Sequence, residues 1–595
     1  MQDVEPPAER LSRCGPLDPA WRVPAEVALD LDGPVDVPFD PPPADFVEHA
    51  IHALFEIVAT RHASATAVAD SGGSLTYAEL RRVVRAQAEA IAAQVPRGRA
   101  VAVLLPNIAA SVVGVLACLA AGRCCLVLNS AHPAERNAAI LRDADVHAVI
   151  VRSDGGAEAV LLPDDVIRIV ATRHATGGGG PSAWRPTPVG PDEAAIVLYT
   201  SGSTGQPKGV VLSQATILAR VRNNILSMHL NGSDRFLSLG ALGTTAGLVA
   251  SMIALLGGSM QFVTSASAAG VSSLLSLIRH ERVTIVWGVP ALLRVLFEAE
   301  GAGDALATVR LIRTFGDRLL RADLQRWRAV LPVHCHVAIT YGQTEVTAAQ
   351  WFVPPDFSSG EAALPTGYLL PEHQFAVVDE AGHRVAEGAA GELVLRSRYV
   401  ALGTWEHGRC ATGRARPDPF QPQLRILPTG DVVRLRADGL LRVMGRRDRQ
   451  VKIRGQRVEP AEIEDALRRV AGVADAAIVA HSNGEETSLL AVIVASVSGD
   501  EALLRRVRAS IKLALPNYMQ PARVMLAAQL PLLPGGKVDD RALLAIDAST
   551  PWHRGSAAAA RLTSARARLT SLCIPGLVVR GWLRLLAPIR RLAGD

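Results

Sequence analysis

Apolar residues recur at three- and four-residue intervals over 46–61 and again over 76–92, a spacing that predicts two amphipathic helices. Short apolar runs follow. AVAVLLP at 100–106, CLVLN at 125–129, HAVIV at 147–151 and VIRIV at 166–170 read as buried strands, and SVVGVLACLAAG reads as a helix closed by Gly122. Strand–helix–strand alternation builds a parallel sheet with helices on its faces. The alternation resumes at 309–317 and 336–342. Around GELVLRS, DVVRLRADGLLRVMG and RDRQVKIRG the character changes to short antiparallel strands with polar turns. After Glu459, a helix over 461–470, strands over 476–480 and 489–495 and a helix over 502–513 suit a compact α+β module of roughly 100 residues.

A chain of 595 residues exceeds one ordinary core, so two or more lobes are expected. Residues 1–45, rich in proline and acidic side chains, read as an irregular lead segment, and TGGGGPS at 176–182 as a connector. With 49% hydrophobic and 20% charged residues the chain falls in the globular range. The net charge of +5 is not gathered on one element of the body, which sets nucleic-acid binding aside there. The seven cysteines (Cys14, Cys118, Cys124, Cys125, Cys335, Cys410 and Cys573) form no CxxC pair, so reduced thiols of a cytosolic protein are expected. The N-terminus has no apolar signal core, and no run of about 18 apolar residues predicts a membrane span.

The strongest chemical signal is IVLYTSGSTGQPKGVVLS at 196–213. An apolar strand enters Thr200, Ser201, Gly202, Ser203, Thr204 and Gly205, with Lys208 just beyond. Glycines let backbone amides approach an anion, hydroxyls donate to phosphate oxygens, and a lysine adds charge. The segment is not a Walker A loop, because Pro207 precedes the lysine. Downstream, Tyr341, Gly342, Gln343, Thr344 and Glu345 offer an aromatic face, a hydroxyl and a carboxylate suited to a base, a phosphate and Mg²⁺. Thr429-Gly430-Asp431 suits ribose hydroxyls, and PGGKVDDRAL places Lys537 on a turn. Taken singly, each short motif is at least as well read as a surface turn.

Taken in order, YTSGSTGQPKG, YGQTE, PTGD, GRRDRQVKIRGQRVEPAEIE, LPNYMQP and PGGKVDDRAL resemble the adenylate-forming superfamily of acyl-CoA synthetases, luciferases and peptide-synthetase adenylation domains. The resemblance spans about 46–545. It implies an α/β fold: a large AMP-binding domain over 46–447, of parallel sheets packed with helices plus a β-rich subdomain. A small, mobile α+β domain over 448–545 would carry the catalytic lysine, and a basic tail over 546–595 would follow. By resemblance, Thr200 to Gly205 with Lys208 would hold phosphates, Tyr341 would stack on adenine beside Gly342, and Thr344 would touch a phosphate. Glu345 would hold Mg²⁺, Asp431 and Arg446 would bind ribose, and Gly316-Asp317 would form an adenine-side loop lacking its second glycine. Asp448 would be the hinge, Lys537 would bridge substrate carboxylate and nucleotide, and Lys452 and Gly455 would serve the thiolation state.

The activity so implied is ATP- and Mg²⁺-dependent adenylation of a carboxylic acid, then acyl transfer to coenzyme A or to the phosphopantetheine of a separate carrier protein. The alternative is a non-catalytic protein of the same fold that binds nucleotide or acyl-adenylate, whose mark would be loss of Glu345, Asp431 or Lys537. Amino-acid-activating members hold the substrate ammonium with an aspartate. Here Thr245 stands near that position, and 239–259 contains no carboxylate. A buried ammonium without a counter-ion is costly. Thr244, Thr245 and Val249 therefore predict a small apolar pocket for an aliphatic or aromatic acid. In the tail, Val578, Trp582, Leu585 and Ile589 share one helical face, interrupted at Pro588. That face would rest on the chain's own domain, on an acidic carrier or on the inner surface of an anionic membrane.

Overall fold

Thr76 starts the helix Tyr77–Gln94 with a capping box: its hydroxyl accepts from the Glu79 amide, and the Glu79 carboxylate accepts from the Thr76 amide. The helix then buries Leu80, Val83, Val84, Ala88 and Ile91 along one stripe, as the spacing predicts. The predicted helix over 46–61 is instead a 3-10 turn, Phe46–Glu48, and a separate helix, Ile51–Arg61. His49 and Ala50 are extended between them, and the Gln214 side chain accepts from the Ile51 amide at 3.1 Å, which fixes the new start.

The computed structural model describes residues 21–153, 162–163, 166–173, 184–201, 206–264, 269–357, 363–447, 449–482, 486–496, 501–527, 529–531 and 538–549. The chain forms two compact units, Met1–Leu530 and Pro531–Asp595. In the second, Asp539 caps the helix Asp540–Ser549 by accepting from the amides of Arg541 and Ala542.

The first unit is built on two large sheets. One has eight strands, with Ile167–Val170, Ala148–Val151, Val101–Val103, Cys125–Val127 and Ala194–Thr200 parallel in that order. The other has nine, with Thr66–Asp70, Met260–Phe262, Arg235–Ser238, Ile285–Gly288, Leu311–Phe315 and His336–Gly342 parallel. One apolar core joins inward residues of both sheets, including Val127, Ile196, Trp287 and Phe352. Within it lie Val112, Leu116, Leu218, Val221 and Ile253, from the helices Ala109–Ala120, Gln214–Met228 and Thr245–Leu256. Every residue of Ala109–Ala120 is buried, which explains why its sequence is apolar all round.

A third, antiparallel sheet contains Gln374–Val378, Ala390–Ser397, Arg416–Pro417, Arg425–Leu435 and Leu441–Arg446. The α+β module follows, with helices Pro460–Arg468 and Glu501–Ala514 over strands Val473–Ser482 and Thr487–Ala495. Its core is Ile463, Leu467, Ile478, Leu503 and Val507. A third strand, Arg523–Ala527, pairs parallel with Thr487–Ala495 and was not anticipated. At five residues, directly after a proline-containing turn, it carries too short a pattern to read.

The lead segment is irregular but fastened: Arg22 bridges to Phe375, and His229 meets Asp30 at 2.9 Å while stacking on Phe39. Among the described residues, five cysteines are free thiols and no helix is long and apolar enough to cross a membrane. The tail's proposed helix and the 176–182 connector lie outside the described residues.

Candidate active site

Thr200 and Lys208 are cross-strand neighbours, so Ala194–Thr200 and Lys208–Ser213 form an antiparallel hairpin. Lys208 is exposed at its base. Ser201 is buried and donates its hydroxyl at 2.7 Å to the carbonyl of Arg457, in the stretch that links the third sheet to the α+β module. Gly202, Ser203, Thr204 and Gly205 lie outside the described residues, as do Asp448 and Lys537.

The second and third motifs meet directly. Asp431 and Arg446 are cross-strand partners, and the guanidinium donates to the carboxylate at 2.7 Å. The same carboxylate accepts from the Tyr341 hydroxyl at 2.5 Å and from Gln343 Nε2 at 2.8 Å. Burial, and then the neighbouring Asp431 charge, push the Tyr341 hydroxyl well above its ordinary range, so it stays a donor. The Tyr341 ring is packed among Val346, Leu369, Leu393 and Leu427. Its hydroxyl is the end that joins the Asp431 network.

Glu345 is buried and ionised. Burial alone would raise its pKa, but the guanidiniums of Arg457 and Arg414 outweigh that effect and hold it down to about 2. Arg457 Nη1 contacts both carboxylate oxygens, at 2.9 and 3.2 Å. Behind Glu345, the buried Arg220 donates to the Thr344 carbonyl at 2.8 Å. Arg220, Arg414 and Arg457 were not singled out from sequence. For Arg457 a signal existed: Lys452 and Arg457 occupy one face of a period-two pattern, with Val451, Ile453 and Val458 on the other.

That pattern forms a hairpin, Val451–Ile453 with Gln456–Val458, in which Lys452 and Arg457 are direct cross-strand partners. The two turn residues, Arg454 and Gly455, have φ of 49° and 75°, as a type I′ turn requires. Ile453 and Val458 sit in the core of the α+β module, so the module presents the two cations to the large sheets. Lys452 Nζ lies 3.5 Å from the Gly342 carbonyl and feels the carboxylates of Asp431 and Asp317, although burial lowers its pKa. Burial also raises the pKa of Asp317, against the opposing pull of Lys452. Gly455 packs on Gly316: a Cβ on Gly316 would stand 3.1 Å from the Gly455 Cα, and one on Gly455 only 2.4 Å from Val289 Cγ1.

On the acid side, Thr244 caps the helix Thr245–Leu256, accepting from the Gly247 amide at 3.2 Å and donating to the Ala241 carbonyl. Its hydroxyl is thus committed to the fold. Thr245 Oγ1 lies 3.0 Å from Thr344 Oγ1, tying this segment to the YGQTE turn, while Val249 is buried in the main core. The described residues contain no cluster of three or more His, Cys, Asp or Glu side chains able to hold a metal. One ionised buried carboxylate still fits Mg²⁺, which takes one or two carboxylates and completes its shell with phosphate oxygens and water.

Comparison with known proteins identifies the family. The profile of the AMP-binding enzyme family matches residues 55–405, and that of the AMP-binding enzyme C-terminal domain matches 462–537. The chain is 33% identical over 517 residues to phenyloxazoline synthase MbtB of Mycobacterium sp. (strain MCS), covering 84% of this chain and 42% of that protein. It is 30% identical over 503 residues to surfactin synthase subunit 2 of Bacillus subtilis (strain 168), covering 83% and 14%. The chain therefore spans less than half the length of either relative. Among solved structures, the amide bond synthetase McbA of Marinactinospora thermotolerans superposes with a TM-score of 0.71 at 25% identity, over 82% of this chain and 98% of that one. Holo-PA1221, a nonribosomal peptide synthetase protein containing adenylation and peptidyl carrier protein domains, gives 0.70 at 25% identity, over 84% and 85%. The chain belongs to the AMP-binding enzyme family, the adenylate-forming ligases, and carries both their large domain and their C-terminal domain.

Proposed function

We propose that this chain activates a carboxylic acid lacking an α-ammonium as its acyl-adenylate, and then passes the acyl group to a pantetheine thiol. The observation that carries this reading is that Ser201 and Glu345 both meet Arg457, while Asp431, paired with Arg446, attracts Lys452 on the same hairpin of the α+β module. Charged groups in that number have little structural reason to persist at one place without chemistry.

In the first step a carboxylate oxygen attacks the α-phosphorus of ATP, and the bond to the pyrophosphate oxygen breaks. The carboxylate is its own nucleophile, so no general base is needed. The barrier is bringing two anions together in line. Lys208 and Lys537 would supply cationic charge from the chain, Ser201 and Thr344 would donate to phosphate oxygens, and Asp431 with Arg446 would orient the ribose. Glu345 would hold Mg²⁺, which when bound neutralises charge on the triphosphate and on departing pyrophosphate. In the second step the thiol sulfur attacks the acyl carbon, and AMP leaves. Coenzyme A and a carrier-bound phosphopantetheine share the reacting arm. A carrier partner is supported by relatives such as the adenylation and carrier-domain protein PA1221.

The acid class follows from Thr245. With no carboxylate over 239–259, an ammonium buried there would lack a counter-ion, which favours aliphatic or aryl acids. The test is ATP-dependent pyrophosphate release across fatty, aryl and amino acids without thiol. Turnover confined to one acid class, and slowed by about 10²-fold or more in Lys537→Ala, is expected. ATP binding without turnover across the whole panel would instead favour a non-catalytic nucleotide-binding protein.

A further inference from the structure

Arg457 holds the one carboxylate that the adenylation reading reserves for the metal. Its guanidinium faces both oxygens of Glu345, and both side chains are largely shielded, with 17% and 7% exposure. The same hairpin takes the Ser201 hydroxyl through the Arg457 carbonyl and sets Lys452 near Asp317 and Asp431. Four groups expected to face the nucleotide or its metal are thus engaged by one two-stranded element anchored in the α+β module through Ile453 and Val458.

A buried carboxylate needs a counter-ion, and a divalent metal on Glu345 would repel the guanidinium that faces both of its oxygens. When pyrophosphate leaves with its metal, Glu345 would keep the Arg414 guanidinium only at 4.0 Å, outside hydrogen-bond distance. We propose that Arg457 is the removable counter-ion of Glu345, so that hairpin docking and metal–nucleotide binding exclude one another through this single carboxylate. Arg457 is then a positioning residue. It lets the hairpin settle only after the metal has departed, and an incoming metal–nucleotide pair expels it. The inference rests on the adenylation reading, because Glu345 is the metal ligand only if that reading holds.

The experiment uses the full chain, Mn²⁺ and α,β-methylene-ATP, without acid or thiol, so that no turnover occurs. Bound Mn²⁺ is read by electron paramagnetic resonance, and hairpin docking by hydrogen–deuterium exchange over 449–460. Arg457→Ala is expected to bind the Mn²⁺–analogue pair about tenfold more tightly than the unaltered chain, with Arg457→Lys in between. Exchange over the hairpin should rise when the unaltered chain takes up the pair, and should already be raised in nucleotide-free Arg457→Ala. Glu345→Gln should lose the metal in either background. If Arg457→Ala binds the pair no more tightly while Glu345→Gln still loses it, or if the pair leaves hairpin exchange unchanged, the counter-ion role is overturned and adenylation stands. If the unaltered chain binds no pair, or Glu345→Gln binds it normally, the adenylation reading falls and the proposal with it.

Discussion

Thr245 and Thr344 face each other hydroxyl to hydroxyl at 3.0 Å, one opening the helix Thr245–Leu256 and the other within YGQTE. This contact joins the expected acid pocket to the expected phosphate contact, so a change at Thr245 should be felt by the reacting carboxylate. An aspartate there would face an anionic substrate and an anionic nucleotide. Thr245→Asp is therefore expected to lower kcat/KM for aliphatic or aryl acids by about 10–10²-fold, since opposed like charges cost several kcal/mol. It should also raise the relative rate with acids that carry an ammonium. Competition assays between matched acids with and without the ammonium check this; an unchanged ratio would place Thr245 away from the substrate.

Lys537→Ala should slow adenylation by about 10²-fold or more, the loss typical of one preorganised charge acting on a transition state. Thioester formation from chemically prepared acyl-adenylate should be spared, because that step no longer expels pyrophosphate. Measuring the two half-reactions separately decides the matter. Equal losses in both would mean that the lysine serves folding or the thiol step instead.

Asp431 is the acceptor on which Tyr341, Gln343 and Arg446 converge, and it is buried. Asp431→Asn keeps the shape but removes the charge that compensates Arg446 and attracts Lys452. A loss of about 3 kcal/mol in unfolding free energy is expected, as when one partner of a buried pair is removed. A raised KM for ATP should accompany it. Denaturant melts and ATP titrations of the same preparation separate the two effects; a raised KM with unchanged stability would make the network purely a ligand site.

The parallel sheets were legible because their strands are short apolar runs separated by helical periodicity, as at 100–106 and 125–129, both of which became central strands. The β-rich region and the α+β module were legible for similar reasons. The strand Arg523–Ala527 was not, because it gains its identity from pairing with Thr487–Ala495 and not from its own pattern. At the site, the glycine-rich loop and YGQTE announce themselves by composition. Arg220 and Arg414 do not: each acts on Glu345 or Thr344 only because distant segments are packed together. Thr244, read as lining the pocket, turns out to spend its hydroxyl on a helix cap, a use that Ser and Thr before a helix often have.

Gly455 carries a φ of 75° and lies against Gly316 and Val289. Alanine there would meet Val289 Cγ1 at 2.4 Å and would pay about 1–2 kcal/mol for the left-handed backbone. If the hairpin leaves this position for adenylation, as proposed, the clash is confined to the docked state. Gly455→Ala is thus expected to depress thioester formation far more than adenylation, by about tenfold in the ratio of the two. Rapid-quench measurement of both half-reactions is the check, and proportional losses would count against a role confined to the docked state.

His132 ties the pH response to the seam between the helix Ala134–Ala144 and the α+β module. Its ring lies 6.1 Å from that of Tyr518, near the buried Arg136–Glu462 pair. Burial, and then the Arg136 charge, push its pKa down to about 3. In the unfolded chain histidine takes up a proton near pH 6.5, whereas the folded chain refuses it until about pH 3. Between those values the unfolded state binds more protons, so stability rises with pH and is lost on acidification from about 6.5 downward. The share of this one group is at most ~1.4 kcal/mol per pH unit. His132→Gln should flatten the stability profile between pH 6.5 and 5, above the range in which most carboxylates titrate. Urea melts of both proteins across that window test this, and parallel profiles would show that His132 is protonated as readily in the folded chain as in the unfolded one.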